Sequence, residues 1–243
     1  MFDITHAVSR VFASPSIIST NENYVMRIED DLIENPSPRC ACMLVLDTSS
    51  SMSGEPIKQL NQGISDFIRI VQRDDVAALS VELGIITFNS TVEEILPFTT
   101  VANLRMDSPG LQSGGMTNMG EAVNFALKRL EERKHEYKRN GVPYYQPWLV
   151  LISDGAPTDS WQAAANRSRD LSANRKLVCL SVGVGGADLA ILSHFSAKPA
   201  LQLQGLDFGS MFQWLSQSMS RVSASNSTTS GVSLPSVSSW ASI

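Results

Sequence analysis

Between residues 57 and 71, apolar side chains recur every three or four positions, which is the spacing of one face of an α-helix. Ser53 or Gly54 can cap this helix, and Pro56 fits its first turn, where a missing N–H costs nothing. The apolar positions are Ile57, Leu60, Ile64, Phe67, Ile68 and Val71. Further helices are predicted around the apolar stripe of residues 123–130 and over residues 160–172, 188–195 and 206–222.

Short apolar runs separate these helices and predict strands. Residues 92–98 follow 77–88 after a connection too short for a crossover, so these two strands should pair antiparallel at one edge of the sheet. The other strands alternate with helices. The sequence therefore predicts an α/β fold, a doubly wound, Rossmann-like sheet that is mostly parallel with one antiparallel edge strand and has helices on both faces. The predicted strands cover residues 43–46, 77–88, 92–98, 148–153 and 177–182.

Length and composition indicate one core with flanking segments, since the chain has 243 residues of which 43% are hydrophobic. We predict a single domain over residues 39–222. Residues 1–38 have enough apolar character to pack on this domain as an N-terminal extension. Residues 223–243 contain nine serines and no charged residue. Because such a composition cannot build its own core, it predicts a flexible tail.

Several function classes are disfavoured by composition. No run approaches the roughly 20 apolar residues of a membrane span, and the N-terminus lacks the order of a signal peptide, so we expect a cytoplasmic protein. Three cysteines give no disulfide framework, and the three histidines are scattered without metal-ligand spacing. A net charge of −5 argues against nucleic-acid binding, which needs a concentrated basic surface.

Candidate chemistry lies at the ends of the predicted strands. Asp47, Ser49 and Ser51 follow the first strand, and Asp154 follows the strand of residues 148–153. A glycine-rich loop contributes the hydroxyl of Thr117. In a doubly wound sheet, ligands bind outside the carboxyl ends of the strands, where the strand order reverses. Carboxylate and hydroxyl oxygens suit Mg²⁺ with retained waters, and Mn²⁺ fits the same geometry.

This five-residue set resembles the metal-ion-dependent adhesion site of the von Willebrand factor type A (VWA) family. That site reads Asp-x-Ser-x-Ser, then Thr, then Asp. The residues around Asp47 and Asp154, including the Pro-Thr-Asp159 sequence and Trp161, are similar to bacterial VWA proteins of the TerY type, which are associated with tellurium resistance. One position departs from the pattern, because Ser50 stands where such proteins commonly carry glycine.

The resemblance implies a function. The five residues would hold the cation directly or through water, with Glu55 and Asp159 at the rim. An Asp or Glu of a partner protein would then bind the cation, which makes the chain a metal-dependent protein-binding module rather than an enzyme. TerY-type proteins also imply a bacterial tellurium-resistance, stress-response or signalling system, with a serine/threonine kinase and a protein phosphatase as further partners.

Other interpretations stay open at this stage. Ser51 can cap a helix, Thr117 can start one, Asp154 can open an Asp-Gly turn, and Asp159 can cap the helix that follows it. A metal-dependent phosphohydrolase or phosphotransferase could use Asp47 as its nucleophile, although no general base or phosphate-binding motif accompanies it. A scaffold whose metal site has decayed is a third possibility.

Overall fold

The computed structural model describes residue 32 and residues 35–105, 108–225, 227–229 and 231–242. Within these residues, the chain forms one sheet of seven strands. The strands are β1 (Cys40–Asp47), β2 (Val81–Phe88), β3 (Val92–Thr100), β4 (Trp148–Ser153), β5 (Val178–Gly183), β6 (Leu201–Leu203) and β7 (Ala241–Ser242). Their order across the sheet is β3-β2-β1-β4-β5-β6-β7.

The predicted mixed sheet is confirmed. Strand β1 pairs in parallel with both β2 and β4, and β5 and β6 extend the parallel part. Strand β3 runs antiparallel to β2 at one edge, as the short connection predicted. The opposite edge differs from the prediction, because β6 and β7 were not predicted and β7 pairs antiparallel to β6.

Six α-helices cover the two faces of the sheet in the described part of the chain. Alternation along β1 shows how the faces are divided: Cys40, Cys42, Leu44 and Leu46 belong to one buried apolar cluster, whereas Met43 and its odd-numbered neighbours belong to the other. Each residue of a strand faces the side opposite to that of its neighbour, so a strand buried on both faces is apolar throughout. The helices are α1 (Glu55–Gln72), α2 (Asp75–Ser80), α3 (Met119–Arg139), α4 (Gln162–Ala173), α5 (Leu189–Ser193) and α6 (Phe208–Ser223).

The strand predicted over residues 77–88 is wrong at its beginning. Residues 77–80 belong to α2, and the strand begins at Val81. The cause is a local cap, because the Asp74 carboxylate accepts hydrogen bonds from the backbone N–H groups of Val76 and Ala77, at 3.1 Å each. Such a cap satisfies two otherwise unpaired donors and starts a helix in an apolar stretch that resembles a strand.

The prediction of a flexible tail over residues 223–243 is wrong for the described part of that segment. Trp240 is fully buried, and its ring contacts the Trp214 ring of α6 with 5.5 Å between centroids. The Trp214 indole N–H donates to the carbonyl of Pro235 at 2.9 Å. Serine-rich sequence is thus interrupted by apolar residues that pack on the core, namely Val232, Leu234 and Val237.

Replacing Trp240 with alanine tests this packing. We expect the free energy of unfolding to fall by about 3 kcal/mol, because a fully buried aromatic side chain is removed together with its contact to the Trp214 ring. Chemical denaturation measured by circular dichroism gives the value. The exposed Ser238 offers a control, since Ser238→Ala should change stability by less than about 0.5 kcal/mol. Equal stability of both variants would show that the segment is free.

The prediction for residues 1–38 falls mostly on residues outside the described part. Of the described ones, Leu32 is buried in one of the two apolar clusters. The Asn35 side-chain amide donates to the carbonyl of Leu79 at 2.8 Å. None of the helices that the structure describes combines the length and apolar character needed to cross a bilayer.

Candidate metal centre

The candidate ligands gather at the carboxyl edge of the sheet. Asp47 is the last residue of β1, and Asp154 follows the last residue of β4, the parallel neighbour of β1. The connection after β1 crosses one face of the sheet through α1, and the connection before β4 crosses the other through α3. Strand order therefore reverses at β1, and the loops that diverge there leave room for a ligand, as the sequence predicted.

The first loop is ordered by its own polar groups. The backbone N–H of Ser49 donates to Asp47 Oδ1 at 2.8 Å, which turns the chain sharply after the strand. A short 3-10 helix over Ser50–Met52 then directs Ser51 back toward the strand end. The hydroxyl oxygens of Ser49 and Ser51 lie 3.0 Å apart. Asp47 and Ser49 are buried, whereas Ser51 is exposed.

The glycine-rich loop that carries Thr117 is attached to the first loop. The Gly114 N–H donates to the Thr48 carbonyl at 2.8 Å, and the Ser50 N–H donates to the Gly115 carbonyl at 3.1 Å. The Ser50 hydroxyl also donates to that carbonyl at 3.1 Å. Ser50, the one departure from the family pattern, therefore adds a contact between the two loops and leaves the turn intact.

The third segment brings Asp154 and a residue that sequence reasoning had not nominated. Asp154 Oδ1 accepts a hydrogen bond from the Ser51 hydroxyl at 2.7 Å. The fully buried Ser153 donates its hydroxyl to Asp47 Oδ2 at 2.5 Å. The Ser153 hydroxyl therefore holds the Asp47 carboxylate in its orientation. The sequence signal for this role was that Ser153 ends a predicted strand directly before Asp154.

The five predicted side chains converge on one space beside Gly155. A Cβ atom placed on Gly155 would lie 3.7 Å from Thr117 Oγ1, 3.8 Å from Ser51 Oγ and 4.0 Å from Asp47 Oδ2. Ser49 and Asp154 join the same group through the two contacts to Ser51 given above. Because Gly155 carries no side chain, no Cβ atom occupies this position beside the oxygens of Thr117, Ser51 and Asp47.

The spacing of the oxygens fits a small divalent cation. Oxygens bound to Mg²⁺ at 2.0–2.1 Å in octahedral geometry are about 2.9 Å from their neighbours. The distances Ser49 Oγ to Ser51 Oγ and Ser51 Oγ to Asp154 Oδ1 are 3.0 and 2.7 Å. Across the described residues, no group of three or more His, Cys, Asp or Glu side chains is placed to hold a metal. A site here therefore depends on hydroxyl ligands as well as two carboxylates.

Electrostatics also favour a cation at this point. Burial raises the pKa of Asp47, and although hydrogen bonds from Ser153 and Ser49 oppose that shift, the charge of Asp154 adds to it. Burial therefore disfavours the charged form of Asp47, and the neighbouring carboxylate repels it. A divalent cation bound to both carboxylates would offset both effects.

The two residues assigned to the rim have different surroundings. Glu55 is exposed in the first turn of α1, where its carboxylate accepts from the Gln59 side chain at 2.6 Å. Asp159 instead accepts from the backbone N–H groups of Gly120 and Glu121, at 3.0 and 2.8 Å. The alternative that Asp159 caps the helix after it is wrong, because that helix begins without a side-chain cap and Asp159 instead caps α3, which begins 40 residues earlier.

Comparison with known proteins identifies the family. The sequence model of the family described as von Willebrand factor type A domain matches residues 42–213. The chain belongs to the VWA family. The matched residues run from β1 into α6, so they include all five candidate ligands, and the doubly wound sheet described above is the fold of this VWA domain.

Relatives of the VWA domain occur in larger proteins. The mouse (Mus musculus) collagen alpha-4(VI) chain is 23% identical over 194 residues, which are 78% of this chain and 8% of that protein. Among solved structures, the pilus adhesin SpaC from Lactobacillus rhamnosus GG superposes with a TM-score of 0.64 at 12% sequence identity. The match covers 76% of this chain and 30% of the SpaC chain. Proximal thread matrix protein 1 from the mussel byssus superposes with a TM-score of 0.54 at 15% sequence identity, and the match covers 75% of this chain and 48% of that protein's chain.

Proposed function

We propose that this VWA domain is a metal-dependent protein-binding module. Domains of this family generally serve as protein-interaction modules. Asp47, Ser49, Ser51, Thr117 and Asp154 would hold Mg²⁺, or Mn²⁺ in the same geometry, directly or through water. When bound, the cation supplies an electrophilic centre for a carboxylate. The observation that carries the proposal is the convergence of these five oxygen-bearing side chains around the space at Gly155.

The charge of the surrounding loops supports this mode of binding. Residues 47–55, 113–118 and 153–159 contain four acidic residues and no Lys, Arg or His. An Asp or Glu of a partner would therefore find no basic side chain from these segments and would be repelled by their carboxylates. Three of the five proposed ligands are neutral hydroxyls, so a bound cation keeps part of its charge. Binding of an acidic partner would thus require the metal.

An apolar side chain beside the site offers a second contact. Met116 directly precedes Thr117 and is 57% exposed. Its backbone N–H donates to the Ser90 hydroxyl at 3.0 Å, so the chain is held at this point while the side chain faces solvent. Methionine adapts its shape to different apolar surfaces. We infer that the partner places an apolar residue next to its acidic one.

Partner capture with the variant Thr117→Ala tests the proposed function. Immobilised wild-type protein should retain a partner from cell extract in Mg²⁺ and release it in EDTA, and Thr117→Ala should retain at least tenfold less, because it loses one ligand of the cation. Thr99→Ala is the control. Thr99 pairs with Leu83 near the beginning of β2, at the end of the strands away from the metal site. Substituting the acidic residues of the captured protein should then abolish binding. Retention that persists in EDTA would contradict the proposal.

The biological setting is proposed from the TerY resemblance. We propose that the protein acts in the cytoplasm, in a tellurium-resistance or stress system with a serine/threonine kinase and a protein phosphatase. The three cysteines are unpaired and buried, which suits a reducing compartment. The chain spans 8% of the curated relative and less than half of each of the two solved structures named above. Enrichment of the kinase or phosphatase with the purified protein would support the setting.

The alternative of a phosphohydrolase is less well supported. Asp47 is fully buried, and both of its carboxylate oxygens accept hydrogen bonds, from Ser49 N–H and from the Ser153 hydroxyl. A nucleophile must reach its substrate, and this carboxylate faces the proposed cation. Hydrolysis of p-nitrophenyl phosphate that disappears in Asp47→Asn would instead support the enzyme.

A further inference from the structure

The loop that carries Thr117 and the loop that carries Asp154 are joined by four hydrogen bonds. Two of them are formed by neighbouring threonines: Thr158 N–H donates to the Thr117 carbonyl at 2.9 Å, and Thr117 N–H donates to the Thr158 hydroxyl at 3.1 Å. The other two are the bonds that Asp159 accepts from Gly120 and Glu121. Together they attach the first turn of α3 to the segment after β4.

Backbone contact at Gly120 shows how closely these two segments approach. A Cβ atom on Gly120 would lie 2.6 Å from Trp161 Cα and 2.8 Å from the Ser160 carbonyl oxygen. Any side chain at position 120 would therefore push the segments apart. The glycine lets the start of α3 rest directly on residues 160–161, and Asp159 holds it there.

The carboxylate of Asp159 caps helix α3, which is distant in sequence, and does not cap helix α4, which follows it directly. Helix α4 begins after Trp161 without a side-chain cap, whereas Asp159 binds two N–H groups at the N-terminus of the 21-residue helix α3. A negative charge at this end of a helix is favoured by the helix dipole as well as by the hydrogen bonds. Thr117 lies two residues before the first residue of α3, so Asp159 acts together with the two Thr158 hydrogen bonds to hold Thr117 beside the segment after β4.

We propose that Asp159 is a positioning residue that sets the affinity of the site for its cation by fixing Thr117 relative to Asp154. This inference rests on the proposed function. The carboxylate of Asp159 accepts hydrogen bonds from backbone N–H groups. It is not one of the proposed ligands of the cation. A ligand oxygen has to be held within about 0.5 Å of its place, and residues that orient metal ligands typically change metal affinity 10- to 100-fold when they are removed.

Magnesium titration by calorimetry on Asp159→Ala tests the inference, with Asp74→Ala as the matched control. Asp74 caps α2 in the same way, but α2 leads into the opposite end of β2, away from the metal edge. Both variants lose a helix cap and should melt at lower temperature in EDTA. We expect the Mg²⁺ dissociation constant to rise about tenfold in Asp159→Ala and to stay within twofold of wild type in Asp74→Ala.

A second readout does not involve the metal. In EDTA, hydrogen exchange at the amides of Gly120 and Glu121 should accelerate in Asp159→Ala, because their acceptor is gone. If Asp159→Ala does not fold, Asp159→Asn replaces it, since asparagine retains one acceptor oxygen and should weaken Mg²⁺ binding about threefold. Unchanged Mg²⁺ affinity in the folded variant would overturn this inference alone. Wild-type protein that binds no Mg²⁺ would overturn the proposed metal site, and the inference with it.

Discussion

Replacing Asp47 with asparagine is expected to abolish Mg²⁺ binding. A charged ligand is lost from a set that contains only two, and the remaining oxygens cannot offset the cost of dehydrating the ion. Wild-type protein at a Mg²⁺ concentration of 100 times its dissociation constant should gain about 2.7 kcal/mol of stability, because the ion binds only the folded state. The variant should gain none, as measured by thermal unfolding with Mg²⁺ or EDTA.

The metal-free stability of Asp47→Asn separates this effect from a folding defect. Burial raises the pKa of Asp47, so its ionised form is unfavourable without a cation. Asparagine preserves the shape and can still accept from Ser49 N–H. We therefore expect the variant in EDTA to be at least as stable as wild type. Asp66→Asn, on the outer face of α1, is the matched control and should keep the full response to Mg²⁺. A response retained by Asp47→Asn would contradict the assignment.

Replacing Glu82 with glutamine should destabilise the protein by about 3–5 kcal/mol, because Arg133 loses its fully buried counter-ion and keeps only the pair with the partly exposed Glu136. Glu82 is fully buried on β2, where Arg133 binds both of its carboxylate oxygens at 2.6 and 2.7 Å. The Tyr137 hydroxyl donates to it at 2.5 Å, and Arg39 Nε lies 3.7 Å away. Although burial disfavours its charged form, pairing with Glu82 raises the pKa of Arg133.

A partly exposed ion pair between Arg129 of α3 and Glu94 of β3 provides the comparison for Glu82. Arg129 donates to Glu94 at 2.7 Å, but these side chains remain 26% and 20% exposed. Solvent screens such a pair, so Glu94→Gln should cost less than about 1 kcal/mol. Urea denaturation of the two variants measures the difference. Equal losses would show that the environment of Glu82 is as well hydrated as that of Glu94.

Local sequence patterns predicted the mixed sheet and the strand ends at which the candidate ligands lie. The alternation of strands and helices predicted the sheet, and strand ends predicted that Asp47 and Asp154 would meet. These inferences succeed because hydrophobic periodicity and the direction of parallel strands are set by local sequence. Helix α2 was missed although Asp74 gave the signal, because the apolar run after it has the composition of a strand.

Features that depend on distant contacts could not be predicted from the sequence. Asp159 caps a helix that begins 40 residues earlier. Strand β7 has only two residues, and it directly follows Trp240, which packs against Trp214 of α6. Serine-rich composition gave the opposite expectation for that segment. In each case the decisive partner is far away in the sequence, so no local pattern records it.

Anomalous diffraction from crystals grown with Mn²⁺ tests the central claim most directly. We predict one strong anomalous peak in the space beside Gly155, within about 2.2 Å of at least three oxygens from the set Asp47, Ser49, Ser51, Thr117 and Asp154. Crystals of Asp47→Asn grown in the same way should lack the peak. Crystals of the wild-type protein that show no peak at this position, at saturating Mn²⁺, would contradict the account.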